Sequence, residues 1–457
     1  MKRDTARLAE SDSRSVLLLE AGPDQRAEMP PALRDGWSIE RETFDWGYVS
    51  AAEPPQPVRR KRVVGGTSWL TRFTPRGAPA DYNGWAASSG LAGWGWEDVL
   101  PYFVKLECDV DYGDRPWHGD RGPIPSSRHL DLAFTDVTAG SIDALNAAGF
   151  PWIEDHNEPG AVGAGRMPKN VRGGRRVTTA DAYLAPNVTP RNLSIRPDSH
   201  VDRVLFDGTT AVGVRLADGT VVEAGRVVLS AGVYGSPTIL LRSGIGRHGE
   251  LVDLVGVGEN LVDHPSVYLD CGYGGPARTA AMQVIATWHS EARPQTEAPD
   301  LMLWLGDPEG DPPAFEVGVV LLRPGSRGAV RLRSSDPLDP PLIELPSLEE
   351  PADVARLAEG YRRAIEVAND PALRFHCSGP SPSEPDDLKT LIRRELFSVP
   401  HTVGTCAMGS VVDASGNVFG VERLTVVDAS IMPDVPSGFT HIPTIMIAER
   451  LAEQLRA

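Results

Sequence analysis

Several features are scarce in this chain of 457 residues, and each scarcity narrows its function. There are only four cysteines, Cys108, Cys271, Cys377 and Cys406, and none forms a C-x-x-C pair. Such spacing signals neither a zinc site nor a disulfide framework, so no metal is expected and the reducing cytoplasm is the expected location. No run of about 18 apolar residues occurs, and the opening segment MKRDTARLAESDSR is charged where a signal peptide needs an apolar core. Neither a membrane span nor secretion is expected. Basic clusters are missing too: 45 Lys and Arg face 62 Asp and Glu, and the net charge of −17 is spread along the chain. Nucleic acid and anionic membranes are thereby disfavoured as partners, and a small soluble substrate fits better. The lack of a G-x-S-x-G elbow argues against a Ser-His-Asp hydrolase.

What is present is a globular composition with many loops: 41% apolar residues, 23% charged residues, 46 Gly and 40 Pro. The length suits two domains or one elaborated domain. Ser15-Val-Leu-Leu-Leu-Glu20-Ala-Gly22 is a short apolar run closed by a carboxylate and a glycine, which predicts a buried parallel strand. Arg226-Val-Val-Leu-Ser-Ala-Gly232 predicts another, followed by a small-residue turn and a helix. Leu424-Thr-Val-Val-Asp428 is a third strand ending in a carboxylate, and Pro443 suits the first turn of a last helix. Between these, Asn192–Arg196 and the alternating stretch around Asp207-Gly208 predict antiparallel hairpins.

The fold class expected is α/β: a Rossmann-like nucleotide domain with an α+β substrate domain built on an antiparallel sheet. Residues 1–110, 160–268 and 399–457 are assigned to the first domain, and 111–159 with 269–398 to the second. Gln283–Trp288 and Asp300–Leu305 are the expected strands of that second sheet.

Val64-Gly65-Gly66-Thr67-Ser68 brings two glycines and two hydroxyls together, where backbone N–H groups can approach a flat or phosphorylated ligand. Alone it is a weak signal. It belongs, however, to a succession: LLLEAG, FDWGY, VVGGTS, GWGWEDVLPYF, DAYL, AGVYGSPTILLRSGIG, GVGENLVDH, HTVGTCAMG, VVDASIMP and THIPTIMIAER. In that order these segments resemble the glucose-methanol-choline (GMC) family of FAD-dependent oxidoreductases, from about residue 7 to the end.

The resemblance implies oxidation of a primary or secondary alcohol to an aldehyde or ketone, with non-covalent FAD as cofactor and oxygen, a quinone or a protein as electron acceptor. It implies that Glu20 takes the adenosine ribose hydroxyls, as an acid at the end of the second Rossmann strand does. Gly65, Gly66 and Ser68 match the loop near the pyrophosphate and isoalloxazine, Val201 a backbone contact to adenine, and Asp428 with Ala429 a second nucleotide-contacting strand end. Ile442 is counted among the cofactor contacts. His401 and His441 match the catalytic pair, and neutral imidazole suits removal of a hydroxyl proton as hydride leaves the carbon. His264, in Asn-Leu-Val-Asp-His264-Pro, is expected to serve structure. His118 and His156 have no supporting constellation, and Cys406 reads as a small buried thiol.

Two departures from the family pattern stand out. A G-x-G-x-x-G loop belongs roughly 20 residues before the ribose acid, yet the first glycine is Gly22. Residues 1–14 resemble the end of the helix that follows that loop, so the first strand and the phosphate loop are expected to be missing, as in an N-terminally truncated chain. In the flavin loop, Thr71 replaces the usual asparagine, and Leu70 stands where some members carry a flavin-linked histidine. A non-redox hydroxynitrile lyase on the same fold, or a non-catalytic remnant that binds rather than reacts, are the alternatives.

Overall fold

The computed structural model describes residues 6–456 apart from 12, 89, 186–188, 277–282, 307, 311 and 312. Residues 1–5 of the expected helix end lie outside the described residues, and residues 6–8 form a helical turn. That turn is tied to the far end of the chain, where Arg7 reaches Glu449 at 2.9 Å.

The apolar runs form parallel strands. Val16–Leu19 pairs with Leu193–Arg196 in the register Val16 to Leu193, and Val227–Leu229 pairs with Leu424–Val426. The segment Leu193–Arg196 was expected in an antiparallel hairpin, and its parallel pairing corrects that expectation. Four alternating residues do not specify direction, and the strand they join, expected to be buried, is only partly so: Leu17 is exposed and none of Val16–Leu19 is fully buried. The hairpin around Asp207-Gly208 does form, with Val201–Asp207 and Thr210–Leu216 antiparallel and Val221–Glu223 extending the meander. The two parallel pairs are separate two-stranded sheets among the described residues.

The second sheet has six antiparallel strands, in the order Phe397–Val403, Val262–Asp270, Glu316–Leu321, Leu301–Leu305, Val284–Trp288 and Ala164–Arg166. It draws strands from both sides of the domain boundaries assigned above. Side chains alternate across such a sheet. Leu301, Leu303, Val319 and Leu321 pack against the long helix Pro351–Asn369 through Leu357, Tyr361 and Ala364. Ile285, Met302 and Val320 face the other way and join Phe73, Met167, Val399 and Phe439 in a small cluster. This second face is the one that meets the candidate site.

Where the edge strand Phe397–Val403 meets its neighbour Val262–Asp270, the ladder is irregular: Val262 pairs with Val403 and His264 with Val399, with a bulge between. A bulge leaves a residue out of the ladder and re-aims its side chain. Here the N–H of His401 donates instead to the Asp263 carboxylate at 2.9 Å. No helix among the described residues is long and apolar enough to cross a membrane.

Candidate active site

A cavity of about 2120 Å³ lies between the two parallel strand pairs and the second face of the six-stranded sheet. Its lining includes Val16–Ala21, Trp46, Tyr48, Gly65, Gly66, Ser68, Val201, Val227–Gly235, His401, Ala429, Phe439 and His441. The two parallel pairs thus face a common space without being joined. The cavity inverts the sign of the chain: Arg14, Arg41, Arg59, Arg60, Lys61, Arg62, Arg72, Arg226, Arg242 and Arg333 line it against Glu20, Glu223, Glu316 and Asp339. In a protein of net charge −17, a wall with that excess of cations suits an elongated anionic ligand. Its size and charge fit FAD.

The loop Gly65–Ser68 is built for close approach. Gly65 has φ of 112°, and a Cβ there would stand 2.3 Å from Nε1 of the buried Trp69. The Ser68 hydroxyl donates to the Gly65 carbonyl at 2.7 Å and accepts from the Thr179 hydroxyl at 2.9 Å, which fixes the turn from behind. Glu20 lies on the cavity wall and accepts from the N–H of Gly22 at 3.1 Å.

Most of the residues singled out from sequence come together on this wall; two do not. Asp428 is fully buried behind it, and its carboxylate accepts from the N–H of Gly232 at 2.9 Å and from the Ser236 hydroxyl at 2.5 Å. The start of helix Gly232–Arg242 is therefore held by a carboxylate of this chain. Ile442 packs in the main core beneath the first turn of helix His441–Arg456, whereas Thr440, His441 and Thr444 line the cavity. Gly244-Ile-Gly246-Arg-His-Gly249 has the dinucleotide spacing but follows a helix instead of a strand and lies off the cavity wall.

At the sheet edge, His401 and His264 form a pair. Their Nδ1 atoms are 3.0 Å apart, and Nε2 of His264 is 3.1 Å from the Pro436 carbonyl. Phe439 packs on the His401 ring at 4.7 Å between centroids. Burial, then the neighbouring His264 and Arg60, holds His401 well below the ordinary imidazole value. Burial likewise pushes His264 down to about 3. Both rings are neutral at physiological pH. Beside them, burial raises Asp263 to about 7, although the Ser398 hydroxyl and Arg60 oppose that rise.

The loop before His441 is clamped from below. Oδ2 of the buried Asp81 accepts from the Ser437 N–H at 2.8 Å and its hydroxyl at 2.7 Å, and Oδ1 accepts from Arg323 at 2.9 Å. Arg323 also donates to the Val435 carbonyl at 2.9 Å.

A second buried histidine corrects the expectation that His118 stands alone. Its Nδ1 is 2.6 Å from Glu107 and 3.2 Å from Asp109, and its Nε2 is 2.8 Å from Asp155. Arg128 bridges Asp109 and Asp155, and Arg76 approaches Glu107 at 3.7 Å. Burial opposes the charge on His118, but the hydrogen bonds to Asp155 and Glu107 outweigh it and raise the imidazole above its ordinary value. Glu107, Asp109 and His118 stand close enough to hold a metal ion. Two guanidiniums and the imidazole already meet these carboxylates, so a cation would face repulsion there. His118 is not on the cavity wall.

Sequence reasoning assigned His264 to structure without finding its partner, and did not single out Asp263, Phe439 or Asp81. Only the Asp-His pairing in a strand hinted at them, because the partners lie far off in sequence; His264 and His401 are 137 positions apart.

Comparison with known proteins agrees with this geometry. Two family models, both described as GMC oxidoreductase, match residues 49–266 and 324–448. The chain is 34% identical to 5-(hydroxymethyl)furfural oxidase of Methylovorus sp. strain MP688, over 98% of this chain and 95% of that protein. It is 33% identical to the oxygen-dependent choline dehydrogenase of Paraburkholderia phytofirmans, over 98% and 91% respectively. Among solved structures, pyridoxine 4-oxidase from Mesorbium loti superposes with a TM-score of 0.89 at 30% identity, covering 98% of this chain and 96% of that one. The chain belongs to the GMC family of FAD-dependent oxidoreductases, enzymes that act on alcohols.

Proposed function

We propose that this protein oxidises a primary or secondary alcohol to the aldehyde or ketone, with His401 as the base and His441 as its partner. The observation that carries the reading is a neutral histidine, His401, on the wall of a cation-lined cavity that also holds the Gly65–Ser68 loop. A carbon–hydrogen bond of an alcohol gives up hydride readily only as the hydroxyl proton departs, and a neutral imidazole within reach takes that proton. Bound FAD, held non-covalently along Glu20, Val201, Gly65, Gly66, Ser68 and Ala429, supplies the hydride acceptor. Phe439 and the apolar face around Trp304 cover the His401 side of the cavity and limit water there.

The names of the relatives, one an oxidase and one an oxygen-dependent dehydrogenase, favour molecular oxygen over a quinone or protein as final acceptor. We also propose a discontinuous nucleotide side, residues 1–110, 160–268 and 399–457, and a substrate side, 111–159 and 269–398, joined through the shared six-stranded sheet. The small number and wide spacing of the cysteines in the sequence favour a cytoplasmic setting.

The test is anaerobic. Protein reconstituted with FAD is mixed with 5-(hydroxymethyl)furfural, choline, pyridoxine and simple aryl alcohols, and flavin absorbance is followed. Bleaching by at least one alcohol, with the carbonyl product recovered, supports the reading. Flavin-loaded protein that no alcohol bleaches contradicts it.

A further inference from the structure

We infer that His264 is a positioning residue that sets the tautomer of His401, placing the His401 proton on Nδ1 and leaving Nε2 as the bare nitrogen for substrate. The inference deepens the reading above and rests on His401 being the base.

The argument starts at a carbonyl. The Pro436 oxygen is only an acceptor, so Nε2 of His264, 3.1 Å away, carries the hydrogen. A neutral imidazole has one N–H, and His264 stays neutral because burial pushes it down to about 3. Its Nδ1 is therefore a lone-pair acceptor. Nδ1 of His401 lies 3.0 Å from that lone pair. Two lone pairs at this distance repel, whereas an N–H facing a lone pair is a hydrogen bond. His401 accordingly donates from Nδ1, and its Nε2 is unprotonated. Tautomer choice through the other ring nitrogen is a general property of histidine.

The chain of support extends further. The Pro436 carbonyl is held in place by its neighbours, since Ser437 is bound to Asp81 and Val435 to Arg323. The main-chain N–H of His401 is bound to Asp263, which fixes the backbone that carries the ring, and Phe439 packs against the ring itself. The order Arg323, Asp81, loop 435–437, His264, His401 converts a fixed carbonyl into a fixed proton position. When His401 takes the hydroxyl proton of an alcohol on Nε2, it becomes an imidazolium that still donates from Nδ1 to His264. Beyond His264 the line ends at a carbonyl that has no proton to pass on. The proton taken from substrate thus leaves through the cavity and not through the protein interior.

The experiment uses FAD-loaded protein labelled with ¹⁵N-histidine, with His264→Leu, His264→Asn and His401→Ala assigning the signals. In the wild type, His401 is expected to show a protonated Nδ1 and a bare Nε2, and His264 a protonated Nε2. His264→Leu is expected to slow anaerobic flavin reduction by about ten- to a hundredfold with little change in KM, because the tautomers of His401 then mix. His264→Asn, whose amide oxygen can accept near the Nδ1 position, is expected to restore most of the rate. A wild-type His401 protonated on Nε2, or a folded His264→Leu that reduces flavin at the full rate, would overturn the inference. Failure of the underlying reading looks different: His401→Ala would bleach as fast as wild type, while the wild-type spectrum still reports the tautomer.

Discussion

His118 is buried and His401 half-buried on the cavity wall, and they are held in opposite charge states by what surrounds them. Around His118, Glu107, Asp109 and Asp155 converge on the two ring nitrogens, and the imidazole is raised despite its burial. Around His401, the ring meets another neutral histidine and a phenylalanine, with Arg60 nearby, and burial lowers it. The segment 75–81 touches both regions. Arg76 donates to the Asn157 carbonyl beside the first, while the Pro75 carbonyl accepts from Phe439 beside the second. The contrast teaches that burial alone does not decide the role of a histidine. Carboxylate partners make it a structural cation, and neutral partners on a cavity wall make it a base.

The comparison breaks most visibly by removing each ring in turn. His401→Ala is expected to reduce the rate of anaerobic flavin reduction by roughly 10²–10⁴-fold, measured by stopped-flow absorbance, with Tm little changed. His118→Leu is expected to do the reverse. It leaves three carboxylates against two guanidiniums in a buried site, so stability should fall by about 3–5 kcal/mol in urea denaturation. Flavin reduction per folded molecule should stay within a fewfold of wild type. A His118→Leu protein that is fully stable but inactive would exchange the roles assigned to the two histidines.

Acidity sharpens the same contrast with smaller effects. Because the folded state holds the His118 proton more tightly than the unfolded state, its contribution is complete below about pH 6.5 and is lost as pH rises through the folded value. Wild-type Tm should therefore decline on the alkaline side, and His118→Leu should lack that part of the decline. Asp263, raised to about 7, has the same sign in a lower window. Between about pH 4 and 7 the folded state keeps a proton that the unfolded state releases, so rising pH costs stability there and ceases to do so above 7. Asp263→Asn should flatten this slope in a Tm series, and its amide oxygen can still accept from the His401 N–H.

Much of this molecule was legible in the order of its motifs. The strands ending in Glu20 and Asp428, the Gly65–Ser68 loop and the two histidine segments identify the family, and all but the Asp428 strand place part of the cavity wall. What escaped depends on partners that no local spacing encodes. Glu107, Asp109 and Asp155 reach His118 from other segments, and His264 meets His401 only because an edge strand pairs with its neighbour through a bulge. Asp428 sits where a ligand contact was expected, yet its Oδ2 is taken by Gly232 and Ser236 and its Oδ1 by the N–H of Ser430, a fact of packing and not of motif. The direction of Leu193–Arg196 shows only in its pairing with Val16–Leu19, which four residues cannot announce.

The central claim, that one histidine is charged and the other neutral, is tested most directly by following the histidine ¹⁵N signals of the FAD-loaded protein between pH 5 and 8. The account predicts that His118 keeps both protons to a higher pH than an ordinary imidazole does, while His401 stays singly protonated well below the pH at which an ordinary imidazole takes up its second proton. A His401 that titrates near 6.5, or a His118 that is already neutral at pH 6, would contradict it.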